Sequence, residues 1–257
     1  GANAATPATA ATAGAAPINN VATASYSVAG VSQPSVTSNT VTVNVSETAN
    51  FALVSTVADG TIGDDTAINQ TATPGGPTTF THNLTNTGNV TDTYTINTTG
   101  NDSPLVTATP DYALGTASVT FTIVQADGTP LTNAQVTALG TQAQTGSLTN
   151  VQTIRLQPGT RANLSYEATT PTATNGNDKG VGTLTATSTF FTTNNASGAT
   201  LVNENQTIVR LPTFKIAKAA TSTVDLTAAT PQITYSIVVT NATTAYSADA
   251  TDIVIRD

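Results

Sequence analysis

The stretch "TFTHNLTNTGNVTDTYTINTTG", Thr79–Gly100, decides the fold. Threonine fills nearly every second position, and Phe80, Leu84, Tyr94 and Ile96 fall in the slots between. A period of two marks a strand with one buried and one wet face. Threonine suits the wet face, because its branched Cβ fits a pleated sheet while its hydroxyl meets water. Between the two runs lies "NTGN" (Asn86–Asn89), residue types that tolerate a left-handed backbone. The stretch therefore predicts a hairpin with strands over Thr79–Thr85 and Val90–Asn97.

The same texture runs along all 257 residues, with 58 Thr, 16 Ser and 22 Asn against 9% charged residues. Low charge and few aromatics can signal disorder, but β-branched content with period two argues for packed sheets. Strands are predicted over Asn20–Val28 and Ser38–Val45, paired across a Gly/Ser/Pro loop, and over Phe51–Val57, then at "SVTFTIV", "VQTIRLQ", "ANLSYEAT", "GTLTATSTF" and "NQTIVRL". Turn clusters such as "ADGTP", "QPGT" and "TNGND" separate them, and no stretch reads as helix. The expected fold is all-β, built of antiparallel sandwich domains in tandem. Residues 1–17, Ala/Thr/Pro-rich, are expected to form a flexible arm.

Two segments far apart match without gaps: "TFTHNLTNTG" from Thr79 and "TYSIVVTNAT" from Thr234. Phe80 aligns with Tyr235, Leu84 with Val239, Asn86 with Asn241, and upstream "FALVSTV" at Phe51 with "FKIAKAA" at Phe214. His82, the one histidine, takes the slot of Ile237, so it is expected to be a packed structural residue. A further echo links "VATASYS…SNTVTVNV" near the start with "LTATSTF…NQTIVRL", the closing strands before Phe214. The organisation expected is an arm (1–17), a strand pair of closing type (18–50), a sandwich (51–212) and a partial sandwich holding opening strands only (213–257).

These motifs resemble the Thr-rich, immunoglobulin-like repeats of large bacterial surface proteins, often labelled DUF11. The likeness rests on "INNVATASYS…TSNTVTVNV", "PGGPTTFTHNLTNTGNVTDTYTI", "LQPGTRANLSYEATTP" and "ITYSIVVTNATTAYSADATDIVIRD", covering most of residues 17–257. It implies an immunoglobulin-like sandwich and a role in cell-surface or appendage structure.

With 7 basic and 15 acidic residues, nothing basic clusters to neutralise phosphates, so nucleic acid is not an expected partner. No apolar run approaches the roughly 18 residues a spanning helix needs, so no membrane insertion is expected. The small-residue opening "GANAATPATAATAGAAP" has the texture found beyond a signal-peptidase cut, which points to a processed, secreted protein; the resemblance implies an extracellular place on a bacterial cell surface. With one His and no Cys, and without G-x-S-x-G, H-E-x-x-H or a Gly-rich phosphate loop, no catalytic residue is expected. Asp59, Asp64 and Asp65 in "ADGTIGDD" form a weak calcium candidate, with Asp178 weaker still, although neither matches a calcium-loop spacing. No other cofactor is expected. Lys215 and Lys218 raise the question of a Lys–Asn cross-link, but alternation buries Phe214 and Ile216 and so directs the face of Lys215 outward. Ten Asn-x-Ser/Thr sequons stand slightly above the roughly six that composition alone gives.

The leading expectation is a structural subunit that polymerises with itself head to tail by lending strands. The residues carrying the contact would be Val21, Ala24, Tyr26, Val41, Val43 and Val45 on the donating side. Tyr235, Ile237, Val239, Ile253 and Ile255 would receive them. The alternative is an adhesin stalk whose ligand, a surface glycan or host molecule, would meet loops such as 101–117 or 171–180. Continuation of the chain past Asp257 would complete the last sandwich without a partner.

Overall fold

A computed structural model describes residues 5, 8–100, 105, 109–114, 118–148, 152–221, 223–242 and 247–257. The chain opens as a ribbon: β1 (Ala11–Asn20), β2 (Thr23–Ala24), β3 (Ser27–Val28), β4 (Val31–Ser32), β5 (Val36–Thr37) and β6 (Val41–Ala49). Each strand pairs antiparallel with its mirror across one turn, β1 with β6, β2 with β5 and β3 with β4. The turn is the two residues Ala29 and Gly30, both at positive φ (49° and 81°), the conformation that matches strand twist in tight hairpins. This corrects two expectations. Residues 11–17 belong to a strand, and the loop expected between Val28 and Ser38 is mostly paired ribbon. Local propensity hid the first, since Ala-rich sequence carries no period-two signal. Only the base of the ribbon is covered: Ala8, Ala11 and Ala49 join the main core, and the Ala8 N–H donates to the Phe51 carbonyl at 3.3 Å. Glu47 is the one charged side chain in residues 1–58.

The sandwich follows: β7 (Phe51–Ser55), β8 (Thr66–Ala72), β9 (Pro77–Asn86), β10 (Asp92–Gly100), β11 (Tyr112–Ala113), β12 (Ser118–Gln125), α1 (Asn133–Leu139), β13 (Thr145–Leu148), β14 (Gln152–Leu156), β15 (Thr160–Thr169), β16 (Lys179–Ser188), α2 (Thr189–Thr193) and β17 (Thr200–Val209). One sheet runs β13-β12-β15-β9-β7; the other runs β14-β10-β16-β17-β8, with β11 also on β16. Most pairs are antiparallel, while β17 with β8 and β11 with β16 are parallel. The predicted alternation is met: Phe80, His82, Leu84 and Asn86 of β9 are buried, as are Asp92, Tyr94 and Ile96 of β10. Phe51 meets Tyr94 at 5.1 Å and Phe191 edge-on at 5.4 Å, and Phe80 meets Tyr166 at 5.7 Å, tying the sheets together.

Two short helices depart from the all-strand expectation. α1 starts at a capping box in which Thr132 and Gln135 satisfy each other's backbone N–H, a T-x-x-Q signature present in the sequence. α2 interrupts "GTLTATSTF" at Thr189, where Ser188 caps the helix and the buried Asp92 carboxylate accepts from the Phe190 N–H and the Ser188 hydroxyl. A tertiary partner thus overrides strand propensity. No helix among the described residues is long and apolar enough to cross a membrane.

After the sandwich, β18 (Phe214–Ala220) pairs with β19 (Tyr235–Asn241) in a two-stranded sheet of its own. Its register repeats that of β7 with β9. Phe214 stands opposite Asn241 as Phe51 stands opposite Asn86, and Ile216 opposite Val239 as Leu53 opposite Leu84. The internal repeat read from sequence is therefore a repeat of backbone pairing.

Candidate assembly surfaces

The buried centre of the sandwich is built for packing. His82 sits between Asn203 and Asn205 of β17. With its amide oxygen toward the ring, Asn203 accepts from His82 Nδ1 at 2.9 Å and from the Ser55 N–H at 3.1 Å, while its Nδ2 donates to the Leu53 and Val202 carbonyls. Burial lowers the His82 pKa to about 4, so the ring is neutral at pH 7. A neutral ring protonated on Nδ1 leaves Nε2 as acceptor, and Asn205 must then offer Nδ2–H across the 3.0 Å contact. That orientation also gives the otherwise unpartnered Asn205 Nδ2 a partner. Burial pushes Tyr166 up to about 12, and burial with the Asp92 charge raises Tyr94 further. Neither phenol is an acid–base group at neutral pH.

The calcium candidates are not brought together as a ligand set. Asp59 Oδ2 accepts from the Ile68 N–H at 2.6 Å, and Asp64 accepts from the Thr66 N–H and hydroxyl, both at 3.1 Å. Asp65 holds the turn through its carbonyl, which accepts from the Glu204 N–H at 2.9 Å. No group of three His, Cys, Asp or Glu among the described residues could hold a metal ion. Asp178 closes its own turn by accepting from the Asn175 N–H at 2.7 Å. These carboxylates act as turn caps.

Two ribbons carry rows of exposed apolar side chains. In the N-terminal ribbon, directly opposed residues share a face, and Ile18 opposes Val43 while Asn20 opposes Val41. Alternation adds Val45 to this row, so Ile18, Val41, Val43 and Val45 line one face, 42–58% exposed. The opposite face is polar; there the Thr42 hydroxyl donates to Asn19 Oδ1 at 2.8 Å. Farther out, Ala24 opposes Val36, and Tyr26, Val28 and Val31 are exposed near the turn. Val21 is exposed too but lies beyond the end of β1. The sequence reading missed Ile18, because it starts the first strand at Asn20.

In the C-terminal ribbon one face holds Phe214, Ile216 and Lys218 opposite Asn241, Val239 and Ile237, with Tyr235 opposite Ala220. Phe214 and Ile216 were expected to be buried, yet they are 45% and 66% exposed because, among the described residues, no second sheet lies over them. Lys218 shares their face, while Lys215 stands on the opposite one beside Thr240. Lys218 pairs with Asp257 and lies 4.7 Å above the Tyr235 ring. Both charges are about half exposed, so the pair contributes little to stability. Residues 250–257 run beside this face outside any sheet, and with Phe214, Ile216, Ile237 and Val239 they enclose a groove of about 570 Å³. Ile253 and Ile255 are 53% exposed. Of the candidate ligand loops, most of 101–117 lies outside the described residues.

No family model matches the chain, and no curated protein matches it. Among solved structures it is similar to a family 123 glycoside hydrolase from Clostridium perfringens, at 8% identity and TM-score 0.35. That match covers 58% of this chain and 23% of the hydrolase, so the chain spans about a quarter of that enzyme. It is also similar to a PapD-like domain of human CEP192, at 10% identity and TM-score 0.26 over 56% of this chain and 80% of the domain. The N-terminal domain of PorA matches at 12% identity and TM-score 0.31, over 61% and 96%. The architecture is an antiparallel β-sandwich flanked by two ribbons.

Proposed function

We propose that this chain is a structural subunit of an extracellular bacterial filament or surface layer, whose copies join head to tail. One observation carries the reading: a closed sandwich bears an uncovered amphipathic ribbon before it and another after it. An isolated two-stranded ribbon is marginal in water, and exposed strand edges beside apolar rows are templates for further pairing. Two unlike surfaces on one chain make a heterologous contact, which propagates instead of closing. The charge-poor, Thr-rich faces and the DUF11-like motifs support the same reading. The test is to concentrate the purified chain and follow its mass by sedimentation and its shape by electron microscopy. Linear polymers support the proposal; a monomer at all concentrations refutes it.

The recurrence of the Phe51–Asn86 pairing at Phe214–Asn241 favours one other reading, a stalk of tandem sandwiches in a large adhesin. Intact mass of the native protein separates the two, since a stalk requires sequence that completes the second sandwich within the same chain.

A further inference from the structure

We infer that the N-terminal ribbon of one copy docks on the C-terminal ribbon of the next, and that residues 250–257 become a strand of the composite sandwich formed. The inference rests on the polymer reading and names what meets what. The intact sandwich supplies the template. There the β7/β9 ribbon is covered by a second sheet in which β10 pairs along one edge with β16, the first strand of the β16/β17 hairpin. Its aromatic seam joins Phe51 on β7 to Tyr94 on β10.

Each of these parts has a counterpart outside the sandwich. β18/β19 repeats β7/β9 in register. Residues 250–257 follow β19 as β10 follows β9: Thr251-Asp252 repeats Thr91-Asp92, and in both places the asparagine that ends the preceding strand donates its amide to a backbone carbonyl farther on. Asn86 Nδ2 donates to the Val90 carbonyl at 2.9 Å, and Asn241 Nδ2 donates to the Ala248 carbonyl at 2.7 Å. Like β10 beside Phe51, residues 250–257 lie beside Phe214. What β18/β19 lacks among the described residues is a counterpart of the β16/β17 hairpin. The β1/β6 ribbon is such a hairpin. It leads directly into Phe51 as β16/β17 leads toward Phe214, and its row Ile18, Val41, Val43 and Val45 faces solvent. Docking that row against Phe214, Ile216 and Ile237 removes both apolar faces from water. Pairing its edge with residues 250–257 gives their N–H and C=O groups the ladder that β10 draws from β16.

The test uses full-length chains with single changes. Val43→Asp spoils the donating face, and Ile216→Asp spoils the receiving face. Asn44→Asp and Thr240→Asp, on the opposite faces, are controls. A native His82 resonance shows in each case that the sandwich is folded. Each spoiled variant is expected to be monomeric alone, the controls to polymerise, and an equimolar mixture of Val43→Asp with Ile216→Asp to stop at dimers. Each variant in that mixture still offers one good surface. Ile216→Asp dimerising by itself would show ribbon-to-ribbon contact and overturn the inference, as would polymers of both spoiled variants; either result leaves the polymer reading standing. Wild-type chains that never associate would remove that reading instead. In the mixed dimer, amide exchange over residues 251–257 should slow at least tenfold, whereas unchanged exchange overturns the strand conversion.

Discussion

Lowering the pH should unlock the sandwich through one imidazole. Folded His82 has a pKa of about 4, against 6.5 for the free side chain, because burial among Asn203, Asn205 and Leu53 disfavours the charged ring. A depressed folded value means that the unfolded chain binds the extra proton first. The stability held by the neutral ring is therefore complete above pH 6.5 and is lost as pH falls toward 4. The gap corresponds to about 3 kcal/mol, with a slope of at most about 1.4 kcal/mol per pH unit. Carboxylates also take up protons in that range, but a His82→Gln variant retains all of them, so the difference between the two stability curves isolates the ring. Urea unfolding followed by circular dichroism at several pH values between 7.5 and 4 gives those curves. Because the chain has a single histidine, its one imidazole resonance reports the titration directly. Parallel curves for the two proteins, or a resonance titrating near 6.5, would refute the reasoning.

Removing the Asp92 carboxylate by Asp92→Ala leaves the Phe190 N–H and the Ser188 hydroxyl without their acceptor, and should cost about 3 kcal/mol in chemical denaturation. Gly88→Ala places a Cβ 2.5 Å from the Thr48 carbonyl and 2.7 Å from the Asn50 nitrogen, backbone that cannot swing aside, so it should destabilise by about 1–3 kcal/mol. Gly14→Ala meets nothing within 4 Å and should leave thermal stability unchanged or slightly raised. Ala29→Gly relieves a non-glycine left-handed residue in the ribbon turn, and should slow amide exchange in β3 and β4 as expected for about 1 kcal/mol.

Alternation made the sandwich legible. Thr79–Gly100 reads correctly because each strand buries one face only, and the repeat reads correctly because Phe51 and Phe214 begin the same pairing. His82 was legible through its alignment with Ile237, but its partners were not, since Asn203 and Asn205 lie more than a hundred residues away. β1 escaped detection because alanine has no strand signature, and α2 because its cause, Asp92, is remote in sequence. The apolar set of the ribbons was legible residue by residue, as with Val41 and Val43. Their exposure was not, because period two shows which side chains share a face and never whether another sheet covers it. Lys218 illustrates the same limit: its parity with Ile216 puts it on the apolar face, where Asp257 and Tyr235 give it company.

The near absence of charge in the N-terminal ribbon sets how fast and under what conditions it can act. With Glu47 as the one charged side chain in residues 1–58, the ribbon itself contributes little to any long-range field that would guide it toward a target. Its encounters then proceed at the unsteered rate, on the order of 10⁵–10⁶ M⁻¹s⁻¹. Such a surface is indifferent to salt, because there is little for counterions to screen. Added sulfate, which strengthens apolar burial, should tighten its contacts where it would weaken an ionic one.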